Sequence, residues 1–362
     1  MRIMFVIQSL SNGGAERVVS VISTALVKQD TEVTIVKFFS TEFEYSVGNK
    51  VQIINLSGGD VQAYGKMSRI NRIRQLRFAI QSIRPDCIIP FTYPVAQITE
   101  IAVIGLQVNV FQSIRINPAI SPSNRWIRFL RDRLVYKSKC SFVQNEQQKE
   151  YFRAKFRDKI HVLYNPVSDD LFMAEPKAPS DEFLICSLGR LTDQKNYPML
   201  IDAFAIAFRN DPSVRLRIYG EGVKRDWLTE YIKKCGMERQ ITMMGRTNDV
   251  KSVFQESDLY VLSSNWEGMP NALIEAMACR VLCIATDCPT GPSDLIISGI
   301  NGYLVPVNDK YAMANCMKMV RNMIYQERMK MCDSARSTIH SKCSSNTIAQ
   351  EMITICTSLH KS

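Results

Sequence analysis

Histidine is nearly missing from this 362-residue chain, which carries only His161, His340 and His360. Its eleven cysteines are an odd number, scattered singly, with no C-x-x-C pair. Both facts argue against a zinc site or a disulfide framework and point to reduced thiols in a cytosolic protein. No D-x-D metal motif is present. The full G-x-G-x-x-G fingerprint is also missing, which counts against a nicotinamide enzyme. No uninterrupted apolar run approaches about 18 residues, so no bilayer-spanning helix is expected. The apolar opening Met1–Leu10 runs straight into Ser11-Asn12-Gly13-Gly14 without a small-residue cleavage pattern and reads as a first strand, not a signal peptide.

What is present is the composition of a folded protein: 46% hydrophobic and 22% charged residues. The formal net charge of +10 is unevenly placed, with 23 Lys and Arg against 12 Asp and Glu in residues 1–165 and 22 against 23 thereafter. Two basic clusters dominate, Lys66, Arg69, Arg72, Arg74, Arg77 and Arg84, then Arg125, Arg128, Arg131, Arg133, Lys137 and Lys139. They read either as solvated helix faces or as a surface for anionic lipid. Nucleic acid is not expected, because no base-stacking aromatics and no recognisable module accompany the clusters.

Short β-rich runs alternate with amphipathic stretches along the whole chain. Strands are expected at 2–8, 32–38, 51–56, 86–91, 108–113, 141–144 and 160–163, with helices over 15–28, 67–83, 125–135 and 146–156. After Tyr164-Asn165-Pro166 and a proline-punctuated connector at 175–180, the pattern restarts with strands at 183–188, 214–219, 241–244, 259–262, 282–286 and 303–305. Three segments follow: a Rossmann-like domain over 1–165, a second over 166–345, and a terminal helix over 346–362 that could return to the first. The fold class is α/β, two doubly wound domains, with ligands expected at the carboxyl ends of their strands.

Three segments there carry chemistry. Gly13-Gly14-Ala15-Glu16 follows the first strand and opens a helix, where backbone amides can approach an anion, although a Gly-Gly pair also serves as an ordinary turn. Arg190, just past a strand, and Lys195, at the next helix entrance, suit a diphosphate that gathers charge as a sugar–phosphate bond breaks. Glu267-Gly268-Met269-Pro270-Asn271-Ala272-Leu273-Ile274-Glu275 leads from loop into helix, with Glu267 in the loop and Glu275 over a turn into the helix. The amides of Asn271 and Ala272 would point out of the helix N-terminus toward phosphate, and carboxylates suit paired sugar hydroxyls.

Glu267 and Glu275 form the E-x7-E motif of retaining GT-B glycosyltransferases. With Gly189-Arg190-Leu191 through Lys195-Asn196, Tyr219-Gly220-Glu221-Gly222, Gly245-Arg246, Asn301-Gly302-Tyr303-Leu304-Val305 and Asn165-Pro166-Val167, the chain resembles glycosyltransferase family four over nearly its whole length. The resemblance implies a GT-B fold whose domains face across a cleft. It also implies that Arg190 and Lys195 neutralise the donor diphosphate and that Glu275 binds ribose hydroxyls. Glu267 would hold hydroxyls of the transferred sugar, with main-chain groups of Gly268, Met269, Asn271, Ala272 and Leu273 completing the site. Gly13 and Gly14 would abut the phosphates from the other domain, and Arg246 would lie beside the nucleobase. No metal or other cofactor is implied, and the reaction would retain the anomeric configuration.

Two departures stand out. Many relatives place a histidine where this chain has Gln112-Ser113-Ile114-Arg115-Ile116-Asn117-Pro118, which is similar to the S-E-R-N-D-P variant of polysaccharide-assembly members. Arg115 then replaces the histidine, either stabilising the departing phosphate or orienting a hydroxyl. The usual Gly-rich, Glu-bearing turn reads Cys288-Pro289-Thr290-Gly291-Pro292-Ser293-Asp294, and Cys279, Cys283 and Cys288 nearby read as small core residues.

The expected partners are a nucleotide sugar, UDP by family analogy, and a polyprenyl-diphosphate-linked glycan. The enzyme would work in the cytoplasm, peripherally on the inner face of the plasma membrane. Helix 67–83, with Ile70, Ile73, Leu76, Ile80 and Ile83 to one side and arginines flanking them, is the expected lipid-facing element. A nucleotide-sugar 2-epimerase of the same architecture is the alternative.

Overall fold

The computed structural model describes residues 1–11, 13–57, 65 and 67–360; Asn12 of the first turn and Lys66 of the first basic cluster lie outside the described residues. The chain divides into two units, Met1–Pro166 with Cys343–Ser362, and Val167–Lys342.

In the first unit, β1 (Arg2–Ile7), β2 (Glu32–Lys37), β3 (Gln52–Asn55), β4 (Cys87–Pro90) and β5 (Asn109–Val110) form a parallel sheet in the order β3-β2-β1-β4-β5. β6 (Gln112–Ser113), β7 (Ser141–Val143) and β8 (Ile160–Val162) form a second parallel sheet. A single bridge from Phe91 to Ser113 ties the end of β4 to it. β1 is almost wholly buried because helices cover both faces of the sheet, so its residues read as a continuous apolar run. The helix Gly14–Lys28 packs on one face, and the terminal helix Ser345–His360 lies against it, with Ile348, Met352 and Cys356 in the same core.

The second unit is a six-stranded parallel sheet. It comprises β9 (Phe183–Leu188), β10 (Val214–Tyr219), β11 (Ile241–Gly245), β12 (Leu259–Leu262), β13 (Leu282–Thr286) and β14 (Tyr303–Val305), in the order β11-β10-β9-β12-β13-β14. This is the doubly wound 3-2-1-4-5-6 arrangement, and its strand order reverses between β9 and β12. In such a sheet, ligands bind at the carboxyl ends of the two strands at the reversal. Cys279, Cys283 and Cys288 are buried, and burial raises the thiols of Cys279 and Cys288 to about 12, so they act as core residues.

Helix Arg69–Ile83 corrects one expectation. It starts at an Ser68 cap, whose hydroxyl accepts from Asn71 N. Leu76 and Ile80 are buried in the core, and Ile73 and Ile83 pack partly buried against it. Only Ile70 of the expected lipid-facing stripe is exposed. That stripe is the helix's attachment to its own sheet.

Candidate functional site

The crevice of the second unit is built by backbone before any side chain enters it. Gly189, Gly220 and Gly245 end β9, β10 and β11, and Gly189 N donates to Tyr219 O while Gly220 N donates to Gly245 O. Gly220 has φ +136, and a Cβ there would lie 2.0 Å from Gly189 O, so no side chain fits. Leu191 N donates to Glu221 O, and Lys224 N to Leu191 O, which fastens the 189–195 loop to its neighbour. The loop closes with Asn196 in the left-handed conformation, its amide donating to Asn265 Oδ1 and Asn308 Oδ1.

On this frame Lys195 Nζ meets Glu267 Oε1 at 2.7 Å, with both side chains largely buried. Ser264 Oγ donates to the same carboxylate oxygen at 2.6 Å, and Gln194 Nε2 reaches Oε2 at 3.4 Å. The loops themselves are cross-linked: Ser263 Oγ donates to Lys195 O, Asn265 N to Gln194 O, and Gln194 Nε2 to Trp266 O. Sequence reading singled out Lys195 and Glu267 but gave no role to Ser264, whose partner Glu267 is close by in the chain, or to Gln194 and Asn265, whose partners lie about seventy positions away. Thr290 adds a brace from the departed turn, its hydroxyl donating to Glu267 O. Gly291 packs so closely that a Cβ would fall 2.7 Å from Pro270 Cδ.

Pro270 is the cap residue of helix Asn271–Ala278, and its carbonyl accepts from Leu273 N and Ile274 N. This helix N-terminus and the basic residues Lys195 and Arg190 all follow the carboxyl ends of β9 and β12, an arrangement suited to an anion. Arg190 is exposed, and its Nη2 donates to Gln194 Oε1 at 3.4 Å. Glu275 is buried one turn into the helix. Arg246 is exposed at the end of β11, two strands from β9, and forms no part of the Lys195–Glu267 network. Gly268, Met269, Asn271, Ala272 and Leu273 line the chain between the two glutamates.

The remaining expected residues belong to the first unit. Gly13 caps helix Gly14–Lys28, and the Glu16 carboxylate folds back over it, with Oε2 only 2.0 Å from where a Cβ of residue 13 would be. A carboxylate at a helix N-terminus is electrostatically favoured. Arg115 follows β6. Its Nε donates to Ser113 Oγ at 2.7 Å and its Nη1 to Asn165 Oδ1 at 3.3 Å, and its Cζ stands 4.7 Å from the Phe91 ring centroid. Asn165 Oδ1 also accepts from Gln144 Nε2, within a buried amide chain that continues to Gln148. Burial lowers the Arg115 guanidinium to about 9, and among the described residues no carboxylate pairs with it. It is a half-buried cation with no carboxylate partner among the described residues. Among the described residues, no group of three or more His, Cys, Asp and Glu side chains is placed to hold a metal ion.

Two family models match the chain: Glycosyltransferase Family 4 over residues 12–171 and Glycosyl transferases group 1 over residues 168–337. A Campylobacter jejuni protein is 30% identical over 326 residues, 89% of each chain; it is named GalNAc-alpha-(1->4)-GalNAc-alpha-(1->3)-diNAcBac-PP-undecaprenol alpha-1,4-N-acetyl-D-galactosaminyltransferase. The amylovoran biosynthesis glycosyltransferase AmsD of Erwinia amylovora is 25% identical over 322 residues, covering 84% of this chain and 85% of that one. Among solved structures, Anabaena Alr3699/HepE in complex with UDP and glucose superposes with a TM-score of 0.79 at 19% identity, over 99% of this chain and 100% of that one.

Proposed function

Because the chain belongs to the family-four, group 1 glycosyltransferases, we propose that it transfers a hexose or N-acetylhexosamine from a UDP-sugar to a polyprenyl-diphosphate-linked glycan during surface polysaccharide assembly. Its fold is GT-B, with two doubly wound units. The named substrate of the Campylobacter relative, a glycan on undecaprenyl diphosphate, supports the acceptor class. The UDP in the Anabaena complex supports the nucleotide.

The observation that carries the reading is the Lys195–Glu267 pair at the strand-order reversal, beside the N-terminus of helix Asn271–Ala278. In this scheme Lys195 and Arg190 take the charge of the departing diphosphate, and the helix amides of Asn271 and Ala272 add fixed dipoles. Glu267, released from Lys195 as the phosphate arrives, accepts from hydroxyls of the transferred sugar; Glu275 does the same for the ribose. Arg246 lies beside the base. The acceptor hydroxyl attacks the anomeric carbon on the face that the diphosphate leaves. Its proton passes to the leaving phosphate oxygen, which takes the bonding electrons, and configuration is retained. Fixed cations and amides replace a metal ion, and the enzyme works at the cytoplasmic face of the membrane.

Purified protein is incubated with UDP-sugars and a polyprenyl-diphosphate glycan, with and without chelator, and the new linkage is read by NMR. An α-linked product from an α-linked donor, formed equally in chelator, is the expected result. Consumption of the UDP-sugar at the same rate without acceptor would instead establish the 2-epimerase, and a chelator-sensitive or inverted product would overturn the mechanism.

A further inference from the structure

Helix Arg125–Lys137 is built the wrong way round for a helix on a water-exposed surface. Asn124 caps it, accepting from Trp126 N and Ile127 N. Its inward side carries Val135 and a buried arginine, Arg131. Arg131 Nη2 donates to Pro118 O at 2.9 Å and Nη1 to Ser121 O, and its guanidinium also pairs with Asp132 and lies near the Tyr151 and Phe152 rings. The outward stripe, at i, i+3, i+4, i+7 and i+11, reads Trp126, Phe129, Leu130, Arg133, Lys137. Trp126 is 78% exposed, Phe129 48% and Leu130 51%. The loop that Arg131 ties down also exposes Ile116 and Ile120. The reading of this basic cluster as lacking aromatics is therefore corrected.

A large apolar residue out and an arginine in gains nothing in water, whereas it fits the boundary of a bilayer. Trp and Phe settle at the headgroup level, and flanking arginine and lysine meet anionic phosphates. The surroundings carry the right charge: Arg125, Arg133, Lys137 and Lys139 are exposed, and the helix's one acid, Asp132, is already held by Arg131 and by the Tyr151 hydroxyl. The structure assigns to this helix the task of docking on an anionic lipid surface, Trp126, Phe129 and Leu130 entering the headgroup boundary and Arg125, Arg133 and Lys137 pairing with lipid phosphates. This rests on the reading of the acceptor as membrane-borne, and it moves the contact from helix Arg69–Ile83, whose apolar stripe is spent on its own core.

The test compares the full-length wild type with a Trp126→Ser, Phe129→Gln, Leu130→Gln variant and an Arg125→Gln, Arg133→Gln variant, each sedimented with vesicles of phosphatidylcholine alone or with phosphatidylglycerol. The expected result is binding of wild type that requires phosphatidylglycerol, a loss of about tenfold or more in the apolar variant, and a smaller, salt-dependent loss in the charge variant. Sugar transfer to a short-chain, water-soluble acceptor should be unchanged in both, which also shows that they fold. Undiminished vesicle binding by the apolar variant overturns the assignment and leaves membrane association standing. Failure of wild type to bind any vesicle overturns both. Concentration-dependent dimerisation of wild type that the apolar variant abolishes, with no vesicle effect, would make the helix a self-association face and overturn the assignment too.

Discussion

Lys195 Nζ stands 2.7 Å from Glu267 Oε1, so the cation that the proposed mechanism assigns to phosphate is paired with the carboxylate that it assigns to sugar. Each residue thus keeps the other from being a lone buried charge. Lys195→Met should leave Glu267 without its cation, lowering stability by about 3–5 kcal/mol and kcat by roughly 10²–10³. Adding Glu267→Gln should restore much of the stability, because the orphan charge is gone, yet none of the activity. A chemical-denaturation series run beside the sugar-transfer assay separates the two effects; recovered kcat in the double variant would mean that the pair is structural only.

Gly220 sets the position of the loop that presents Lys195. Its φ of +136 and the 2.0 Å approach of a Cβ to Gly189 O leave alanine no accommodation except moving the 189–195 loop. Gly220→Ala should raise the KM for the UDP-sugar more than it lowers melting temperature. Gly299→Ala is the control: its φ is +82 but nothing lies within 4 Å, so only about 1–2 kcal/mol of backbone strain is expected, with KM unchanged.

How much of this could be seen in the sequence depends on whether a feature is local. The strands of both units were legible because buried parallel strands are continuous apolar runs. The stretch 108–113 was read as one strand, but it changes sheets at the buried Phe111: Asn109–Val110 pairs with β4 and Gln112–Ser113 with β7. Periodicity does not record a change of partner. Helix Tyr93–Ala102 was missed, with Pro94 in its first turn, where proline is permitted. At the site, Lys195 and Glu267 were legible as ends of strands that prove adjacent, whereas the hydroxyl of Ser264 and the amide of Gln194 gain meaning only from the carboxylate they hold. The facing of helix Arg125–Lys137 was illegible because hydrophobic-in is the default that the helix violates.

Asp258 anchors the opposite end of β12. Its Oδ2 accepts from Leu184 N at 2.9 Å and from Lys177 Nζ at 2.5 Å, while Oδ1 accepts from Arg328 at 3.2 Å. Asp258→Ala strands the buried Arg328 without a counter-charge and should cost about 3–5 kcal/mol in urea unfolding. Far from the crevice, it should leave the KM for nucleotide sugar unaltered in the folded fraction. A parallel rise in KM would show the two ends of the strand to be coupled.

His161 on β8 gives the first unit a specific acid sensitivity. Burial, then the nearby charge of Lys149, holds its imidazole below the usual histidine range. The folded protein therefore takes up this proton less readily than the unfolded chain, whose histidine titrates near ~6.5. Stability is complete above that pH, falls as pH drops through it, and levels off below the folded-state value, no more steeply than about 1.4 kcal/mol per pH unit. His161→Gln should flatten that part of the curve between roughly pH 7 and 5, with the remaining carboxylate-driven loss at lower pH preserved. An identical slope in the variant would assign the sensitivity elsewhere.

Arg115 offers the sharpest test of chemistry on the first unit. Its guanidinium is held over Phe91 by Ser113 and Asn165, and burial makes its charge costly with no carboxylate among the described residues to offset it. An approaching phosphate would repay that cost; a neutral hydroxyl would do so far less. If the partner is anionic, Asn165→Asp, which places a carboxylate where the amide oxygen now accepts, should neutralise Arg115 and lower kcat about as much as Arg115→Gln does, by roughly 10²-fold. Arg115→Lys should recover part of the loss through its charge, though not all, since an ammonium cannot hold Ser113 and Asn165 as a planar fork does. Should Asn165→Asp keep full activity while Arg115→Gln does not, the arginine orients a hydroxyl, and the phosphate role falls.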